Sequence, residues 1–461
     1  MRPPLSIKGV QGDLKEKKYN CTELVNFYLG QAKKLNPTLN AFTTICEDFA
    51  FEKTKILNEI IQTNPKAFEE FPLMGVVLSL KDLFSTKGIR TTAGSEVLSD
   101  YIPPFSGTVV NKLEEAGAII IGKTNCDAWG HGASGENSDF GPAKNPWDTS
   151  RVPGGSSSGS AVSVSAQMCM ASMGTDTGGS IRQPAGFCNL VGLKPTYGAV
   201  SRYGVIAMAS SLDTVGHLTR FAEDSEIIFN VIKGKDGKDG TIKDQYKENK
   251  ALNIGIPKEY YGLGIDREIV ELINAAKSKV KGVKFVEVSL PHTRYAIPTY
   301  YIIQPAEVSS NLARYDGVRY GKSRKAFGDE AVRRIMLGTY VLSGGYYDAY
   351  YLKAMKIRSK IINDFDRAFE KVDALLTPVS PTPAFKLGEK NEPLEMYMAD
   401  ALTAPASLAG LPAMSLPVGF SGKGLPVGMQ LIGPRFSENV LFDLGKRYQE
   451  ATDWHLQTPN L

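Results

Sequence analysis

Glycine and serine fill half of the stretch from Pro153 to Ser180. Six glycines and eight serines occupy 14 of its 28 positions and form two short motifs, GGSSSG and TGGS. Serine hydroxyls can act as nucleophiles or pass on protons, and glycine-rich turns leave backbone amides free to bind an anion. Three interpretations are open: a flexible linker, a phosphate-binding loop, or a catalytic centre built from hydroxyls and amides.

The residues around this stretch disfavour the first two interpretations. A Gly/Ser linker carries no apolar pattern, but an apolar series follows the first motif. Its members are Ala161, Val162, Val164, Ala166, Met168, Met170 and Ala171. A phosphate loop of the GxxxxGK[ST] type needs a lysine, and none follows Gly159.

The first motif also matches the GxSxG nucleophile elbow, with Ser157 at its centre. An elbow follows an apolar strand, whereas the preceding NPWDTSRVP is polar and bounded by proline. None of the four histidines stands in a sequence context typical of catalysis: His131, His217, His292 and His455. A Ser-His-Asp mechanism is therefore disfavoured.

A serine nucleophile without histidine needs another base, and a lysine can serve if it is held neutral. The ordinary pKa of lysine is roughly 10.4, and burial lowers it by up to several units. Lys81 directly follows GVVLSL, which predicts a buried strand that ends at this lysine. In the second motif, Thr177, Gly178 and Gly179 offer successive unhindered amides for an oxyanion, and Ser180 closes the turn.

Apolar patterns elsewhere alternate between strands and helices. LMGVVLSL and AIIIG predict buried strands, whereas TVVNKLEEAG and DREIVELINAAKSKV predict amphipathic helices. This alternation predicts an α/β fold with helices on both faces of a sheet. The charged segment 234–250 is the one linker-like stretch, and we expect a solvated surface loop there.

Composition and charge exclude several classes of protein. Hydrophobic residues make up 42% and charged residues 22% of the chain, as in ordinary soluble globular proteins. A net charge of +4 does not indicate a dedicated nucleic-acid-binding protein. The five scattered cysteines form no CxxC pair, and no apolar stretch reaches the ~18 residues of a membrane span. We therefore expect a cytoplasmic protein without a disulfide framework or zinc site.

Four stretches of the chain resemble the amidase signature family: GVVLSLKDLF, RVPGGSSSGSA, GTDTGGSIRQPAGFCNLVGLKPTYGAVSRYG and ASSLDTVGHLTR. The resemblance implies that Ser180 is the nucleophile, Ser156 a bridging serine in a cis peptide, and Lys81 the base. It leaves Ser157 without a catalytic role. It also implies a single large domain, residues 1–461, built on a central mixed β-sheet with helices on both faces. That domain would comprise three parts: an N-terminal helical segment (1–65), the signature core (66–225) and a remainder with substrate-binding residues (226–461).

Further stretches along nearly the whole chain resemble the glutamine-hydrolysing, tRNA-dependent amidotransferase branch of that family. They are EVSSNLARYDGVRYG, RRIMLGTYVLSGGYYDAYY, TPVSPTPAFKLGE and MYMADALTAPASLAGLPAMSLPVGF. This resemblance implies that free glutamine is the substrate, with Asp400 binding its α-ammonium and Arg334, favoured over Arg333, its α-carboxylate. Tyr301 is a further implied binding residue.

The same resemblance implies two partners, the B and C subunits of a heterotrimer. The B subunit would use ATP and magnesium to amidate misacylated Glu-tRNA(Gln), sometimes Asp-tRNA(Asn), with the ammonia released here. The small C subunit would wrap and stabilise the pair, and the tRNA would contact mainly the B subunit. No cofactor is expected in this chain.

Two segments depart from the pattern of that branch. The stretch between RYGKSR and RRIML is shorter than usual, and HGASGE (131–136) carries His131, Ala133 and Gly135 in place of mostly Met and hydroxyl residues. The second departure predicts an altered pocket lip. Asp176 and Arg182, which flank the second motif, predict a structural ion pair.

Two alternative functions stay open. A stand-alone amidase would act on some other small amide without a partner. A catalytically silent scaffold would only bind partners, although the presence of Lys81, Ser156 and Ser180 argues against it.

Overall fold

The computed structural model describes residues 2–243, 245–246, 252–262, 264–318 and 322–461. Eleven strands of the described residues pair into one sheet, in the order β1-β3-β2-β4-β6-β5-β10-β11-β9-β7-β8. The strands are β1 (Phe42–Ile45), β2 (Val77–Lys81), β3 (Ile119–Thr124), β4 (Ala171–Asp176), β5 (Val191–Lys194), β6 (Thr214–Thr219), β7 (Asn253–Pro257), β8 (Lys284–Val288), β9 (Ala374–Pro378), β10 (Ala413–Phe420) and β11 (Pro426–Ile432).

Helices connect these strands and pack against the sheet. In the described residues they are α1 (Ile7–Lys15), α2 (Cys21–Leu39), α3 (Glu47–Thr63), α4 (Ala67–Glu70), α5 (Thr108–Glu115), α6 (Ser158–Ser165), α7 (Arg182–Phe187), α8 (Ala222–Ile232), α9 (Arg267–Lys277), α10 (Ala296–Asn311), α11 (Asp329–Leu342), α12 (Lys353–Phe369), α13 (Pro393–Tyr397), α14 (Ala404–Leu408) and α15 (Glu438–Glu450). No helix within these ranges is long and apolar enough to cross a membrane.

The sheet is mixed, which confirms the predicted α/β class. Strand β2 runs parallel to both β3 and β4, whereas β4 and β6 are antiparallel, as are β10 and β11. The register of β2 on β4 pairs Leu80 with Met173. Because parallel strands end at the same edge of a sheet, Lys81 at the end of β2 lies beside the turn that follows β4.

Continuous apolar runs place the central strands inside the protein. Every residue of β2, β3 and β4 is buried, as expected for strands covered on both faces. Helices α10 and α11 cross so closely that a Cβ on Gly338 would lie 1.9 Å from the carbonyl oxygen of Pro305. A glycine at this position therefore permits the contact between the two helices.

The charged segment 234–250 lies partly outside the described residues. In its described part, Asp236 accepts a hydrogen bond from Thr108 at 2.6 Å, and Asp239 forms an ion pair with Arg202 at 2.8 Å. This part of the segment is therefore attached to the protein surface, whereas the sequence predicted only solvation. The shortened stretch between RYGKSR and RRIML spans residues 325–332, all of which are described, and α11 begins within it at Asp329.

Candidate active site

Lys81 is completely buried at the end of β2. Its Nζ donates to Ser156 Oγ at 2.8 Å and to Thr175 Oγ1 at 2.9 Å. Burial lowers the pKa of Lys81 to about 8, although nearby acidic groups, including Asp127, oppose the shift. Near neutral pH this amine is therefore unprotonated far more often than an ordinary lysine.

The loop 153–157 holds Ser156 against Lys81. Its Gly155–Ser156 peptide is cis, as the resemblance implies. The amide of Gly155 donates to Gln183 Oε1 at 3.0 Å. A Cβ on Gly155 would lie 2.1 Å from Asp127 Oδ2, so this close packing requires glycine.

The turn 177–180, which we call the TGGS turn, follows β4 directly. The amides of Gly178, Gly179 and Ser180 donate to no protein acceptor within the described part of the chain. The carbonyl oxygen of Ser180 accepts from the amide of Ser157 at 3.1 Å, which ties the turn to the loop that carries Ser156. The turn therefore brings Ser180 and three free amides beside the Lys81–Ser156 pair.

Glycine is required at two positions of the TGGS turn. A Cβ on Gly178 would lie 2.7 Å from Tyr300 Cζ, and one on Gly179 would lie 2.2 Å from Thr403 Oγ1. The turn is thus enclosed between α10 and the segment before α14, and a larger residue would displace it.

Asp176 and Arg182 flank the TGGS turn in the sequence and form a fully buried ion pair with each other. The Arg182 guanidinium makes five hydrogen bonds, to Asp176, Thr403, Ser407 and Gln430, and they equal its donor count. Burial opposes ionisation of Asp176, but the charge of Arg182 outweighs it and holds the pKa of that carboxyl below its usual value. The pair is therefore structural in its contacts, as the sequence predicts.

Replacing Arg182 by methionine is expected to destabilise the protein by about 3–5 kcal/mol, because Asp176 would be left as a buried charge without a partner. Urea unfolding measures the loss. Arg267→Met is the matched control: it removes an ion pair with Glu271 whose side chains are 92% and 62% exposed, so its effect should stay within about 0.5 kcal/mol. Equal effects of the two substitutions would contradict the structural role of Arg182.

The three implied substrate-binding residues lie together next to the TGGS turn. Tyr301 donates to Asp400 Oδ2 at 3.1 Å, and its ring lies under Arg334, 5.3 Å from the guanidinium carbon to the ring centroid. Asp400 Oδ1 would be 3.2 Å from a Cβ on Gly179. An acid and a base thus lie on one side of the TGGS turn, and a tyrosine contacts both.

Arg334, and not Arg333, points into the protein. Arg334 is 3% exposed, and its Nε donates to Glu330 at 2.8 Å. The Arg333 side chain is 45% exposed and pairs with Glu330 at the surface. Burial raises the pKa of Asp400 to about 7, against the hydrogen bond from Tyr301 and the charge of Arg334.

The contacts of the histidines and of Ser157 offer no alternative triad. Ser157 Oγ donates to the carbonyl of Thr175 at 3.2 Å. His217 contacts Ser225, and His292 contacts Asp364. In the described part of the chain, no hydrogen bond joins a histidine to Ser157 or Ser180.

Two residues of the site were not predicted from the sequence. Thr175 is the second acceptor for Lys81, and Asp213 accepts from Thr177 Oγ1 at 2.8 Å. Both stand in stretches that carry the family resemblance, GTDTGGS and ASSLDTVGH. Nothing in the local pattern distinguishes these polar residues from their neighbours.

Comparison with known proteins identifies the class. A model of the amidase family matches residues 23–442, and the chain belongs to this family. It is therefore an enzyme of the amidohydrolase class.

Particular relatives are similar along the whole chain. The glutamyl-tRNA(Gln) amidotransferase A subunit of Coxiella burnetii (strain Dugway 5J108-111) is 48% identical over 483 residues, which cover 99% of each chain. The protein of the same name from Carboxydothermus hydrogenoformans is 49% identical over 484 residues, again 99% of each chain. The crystal structure of the glutamyl-tRNA(Gln) amidotransferase A subunit from Thermotoga maritima superposes with a TM-score of 0.78 at 40% identity, covering 95% of this chain and 92% of that one.

Proposed function

We propose that this chain is the glutaminase subunit of a tRNA-dependent amidotransferase, which releases ammonia from glutamine for a partner subunit that converts Glu-tRNA(Gln) to Gln-tRNA(Gln). The observation that carries the proposal is the buried Lys81–Ser156 hydrogen bond beside the TGGS turn. The full-length relatives bear the name of one subunit of such an enzyme.

The chemistry uses only side chains and amides of this chain. Neutral Lys81 takes a proton from Ser180 by way of Ser156, and Ser180 Oγ attacks the side-chain carbonyl of glutamine. The free amides of the TGGS turn hold the oxyanion. Ammonia leaves with a proton returned through the same relay, and water then hydrolyses the acyl-enzyme.

The charges next to the TGGS turn favour glutamine over an apolar amide. Asp400 offers a carboxylate to the α-ammonium, and Arg334 offers a guanidinium to the α-carboxylate. A small apolar amide would offer no partner to Asp400 Oδ1 or to the terminal nitrogens of Arg334, which costs binding free energy. This argues against the stand-alone amidase.

An exposed surface rich in tyrosine supports the proposal that this chain binds a partner protein. It consists of Val332, Met336, Tyr340, Tyr346 and Tyr350, which are 38%, 68%, 45%, 41% and 41% exposed. The first three follow one another at i, i+4 spacing on α11, and the tyrosine rings contact one another, with centroids 4.4 Å apart for Tyr340 and Tyr346. Tyrosine and methionine are enriched in protein–protein interfaces.

The remaining parts of the proposal concern that partner. We assign ATP, magnesium and the main tRNA contacts to the B subunit, and complex stability to the small C subunit, with no cofactor in this chain. A cavity of about 300 Å³ adjoins Thr175 and Asp213 and offers released ammonia a first space beyond the relay. All five cysteines are buried free thiols, which fits a reducing cytoplasmic location.

The test measures ammonia release from glutamine by the full chain alone, with the B and C subunits, and with Glu-tRNA(Gln) and ATP added. We expect glutamine-dependent formation of Gln-tRNA(Gln) only when this chain is present. Met336→Glu, on the surface rich in tyrosine, should weaken assembly while the isolated chain keeps its fold. Amide formation from glutamine without this chain would contradict the proposal.

The same measurements separate the alternatives. Rapid hydrolysis of other small amides, with glutamine a poor substrate, would indicate a stand-alone amidase. Failure of an acylating glutamine analogue to label Ser180 in the assembled complex would indicate a scaffold.

A further inference from the structure

Two buried polar side chains near the substrate-binding residues make no hydrogen bond within the described part of the chain. Both ring nitrogens of His131 and both side-chain amide atoms of Gln304 are without a partner. His131 is 1% exposed and Gln304 is fully buried. Because unpaired buried polar atoms cost folding free energy, native proteins keep few of them. These two therefore call for a ligand or a functional explanation.

His131 lies on the loop that passes over the relay. A Cβ on its neighbour Gly130 would be 3.7 Å from Ser156 Oγ. The carbonyl of His131 accepts from Asn137 Nδ2 at 2.9 Å, so the backbone is held and the ring stays free. Burial, and then the charge of Arg334, hold the pKa of His131 well below its ordinary value. The ring is thus neutral and offers one N–H donor and one acceptor.

Gln304 lies on the part of α10 that joins the pocket to the His131 loop. It follows Tyr300 by four residues and Tyr301 by three, the spacings that share a helix face. Tyr300 contacts the TGGS turn, and Tyr301 contacts Asp400 and Arg334. One helical turn beyond Gln304, Val308 belongs to the same apolar cluster as Trp129. Trp129 precedes His131 by two residues.

Arg334, whose charge lowers the pKa of His131, has N–H groups that do not donate a hydrogen bond. Its Nε is bonded to Glu330, and within the described ranges its two terminal nitrogens have no protein acceptor. A bidentate guanidinium directs two N–H groups at a carboxylate, which has about four lone-pair positions. The α-carboxylate of an amino-acid substrate at Arg334 would accept further N–H groups.

We propose that His131 and Gln304 form, with Arg334, a subsite for the α-carboxylate of the substrate, to which each donates an N–H. The proposal rests on glutamine as the substrate. Both are specificity-determining residues: they bind the end of the substrate remote from Ser180 and take no part in the proton relay. The HGASGE departure in the sequence thus places a new polar group at the pocket.

The test compares glutamine with 4-aminobutanamide, which is glutamine without its α-carboxylate. Binding is measured by calorimetry in the full chain with Ser180→Ala, so that nothing is turned over. His131→Leu and Gln304→Leu should each weaken glutamine binding by about tenfold, since each removes a hydrogen bond to a charged group. Neither should change the affinity for 4-aminobutanamide. Equal weakening of both ligands overturns the proposal.

Two further measurements exclude a merely structural role. Without ligand, the Tm of both leucine variants should be unchanged or higher, because no internal hydrogen bond is lost. A lower Tm overturns the proposal. His131→Asn, which restores an N–H donor, should recover part of the glutamine affinity.

The outcomes also separate this proposal from the assignment of the substrate. If the Ser180→Ala chain with His131 and Gln304 intact does not bind glutamine, the substrate assignment fails and the subsite with it. If it binds glutamine and both leucine variants bind it equally well, only the subsite is overturned.

Discussion

Ser180→Ala is expected to abolish glutamine hydrolysis, with a loss on the order of 10⁴ to 10⁶ in kcat. The hydroxyl is the only group that the substitution removes, and no other serine of the two motifs stands at the end of the TGGS turn. The free amides and the Asp400–Arg334 pocket stay in place, so glutamine affinity should change little. The assay is ammonia release at saturating glutamine in the assembled complex.

Ser157→Ala is the matched control for that loss. Ser157 also stands in a glycine-serine motif and is also buried, but its Oγ donates to the carbonyl of Thr175, and the hydrogen bonds of Lys81 Nζ go to Ser156 and Thr175 instead. We expect the variant to keep most of its activity. If instead Ser157→Ala inactivated the enzyme and Ser180→Ala did not, the GxSxG elbow would be the correct interpretation of the sequence.

The local elements of the fold were predictable because each one is encoded by its own residues. The run GVVLSL gives β2, AIIIG gives most of β3, and TVVNKLEE gives α5. The predicted start of β2 at position 73 was wrong by four residues. Gly75 has a φ of 75°, and its amide bonds to Gly117, so the chain turns before the strand begins.

The sheet order was not predictable in the same way. Strand β10 lies between β5 and β11, and β9 joins β11 to β7. These pairings bring together segments far apart along the chain, and apolar periodicity carries no information about which strand pairs with which. The single mixed sheet followed from the family resemblance and not from the pattern.

The same distinction between local and long-range features applies to the candidate active site. Lys81 and the TGGS turn were recognisable because a strand end and a glycine pair have local signatures. The contact between Asp400 and Gly179 joins distant parts of the chain, and the orphaned nitrogens of His131 are a property of what surrounds the ring. The departure at residues 131–136 was visible in the sequence, whereas the buried and unpaired state of Gln304 on α10 is visible only in the fold.

Lys81→Met is the second large effect we expect. Removing a general base typically costs about 10²–10⁴-fold in rate, and here the amine also donates to Ser156 and Thr175 and so positions the relay. Methionine has nearly the same length and suits the buried site, so the fold should be retained. Lys123→Met is not a suitable control, because Lys123 pairs with buried Asp82. Lys87→Met, at an exposed position, is the matched control and should be fully active.

The dependence of kcat/KM on pH tests the role of Lys81 without a substitution. In the proposed mechanism the reactive form is the neutral amine, so activity should rise with pH and level off above about 8, the value to which burial lowers the pKa of Lys81. In the proposed binding mode Asp400 must be ionised to bind the α-ammonium, and burial raises its pKa to about 7. Between these values activity should fall about tenfold for each unit of decreasing pH, and below 7 about a hundredfold, because two groups then gain protons.

Asp400→Asn separates the two ionisations. The variant should bind glutamine more weakly and lose the steeper lower part of the profile, while the rise through about pH 8 remains. A wild-type profile that is flat between about pH 6 and 9 would mean that no group with the pKa of Lys81 limits the reaction. Such a result would remove the buried amine from the relay, since an ordinary lysine is almost fully protonated throughout that range.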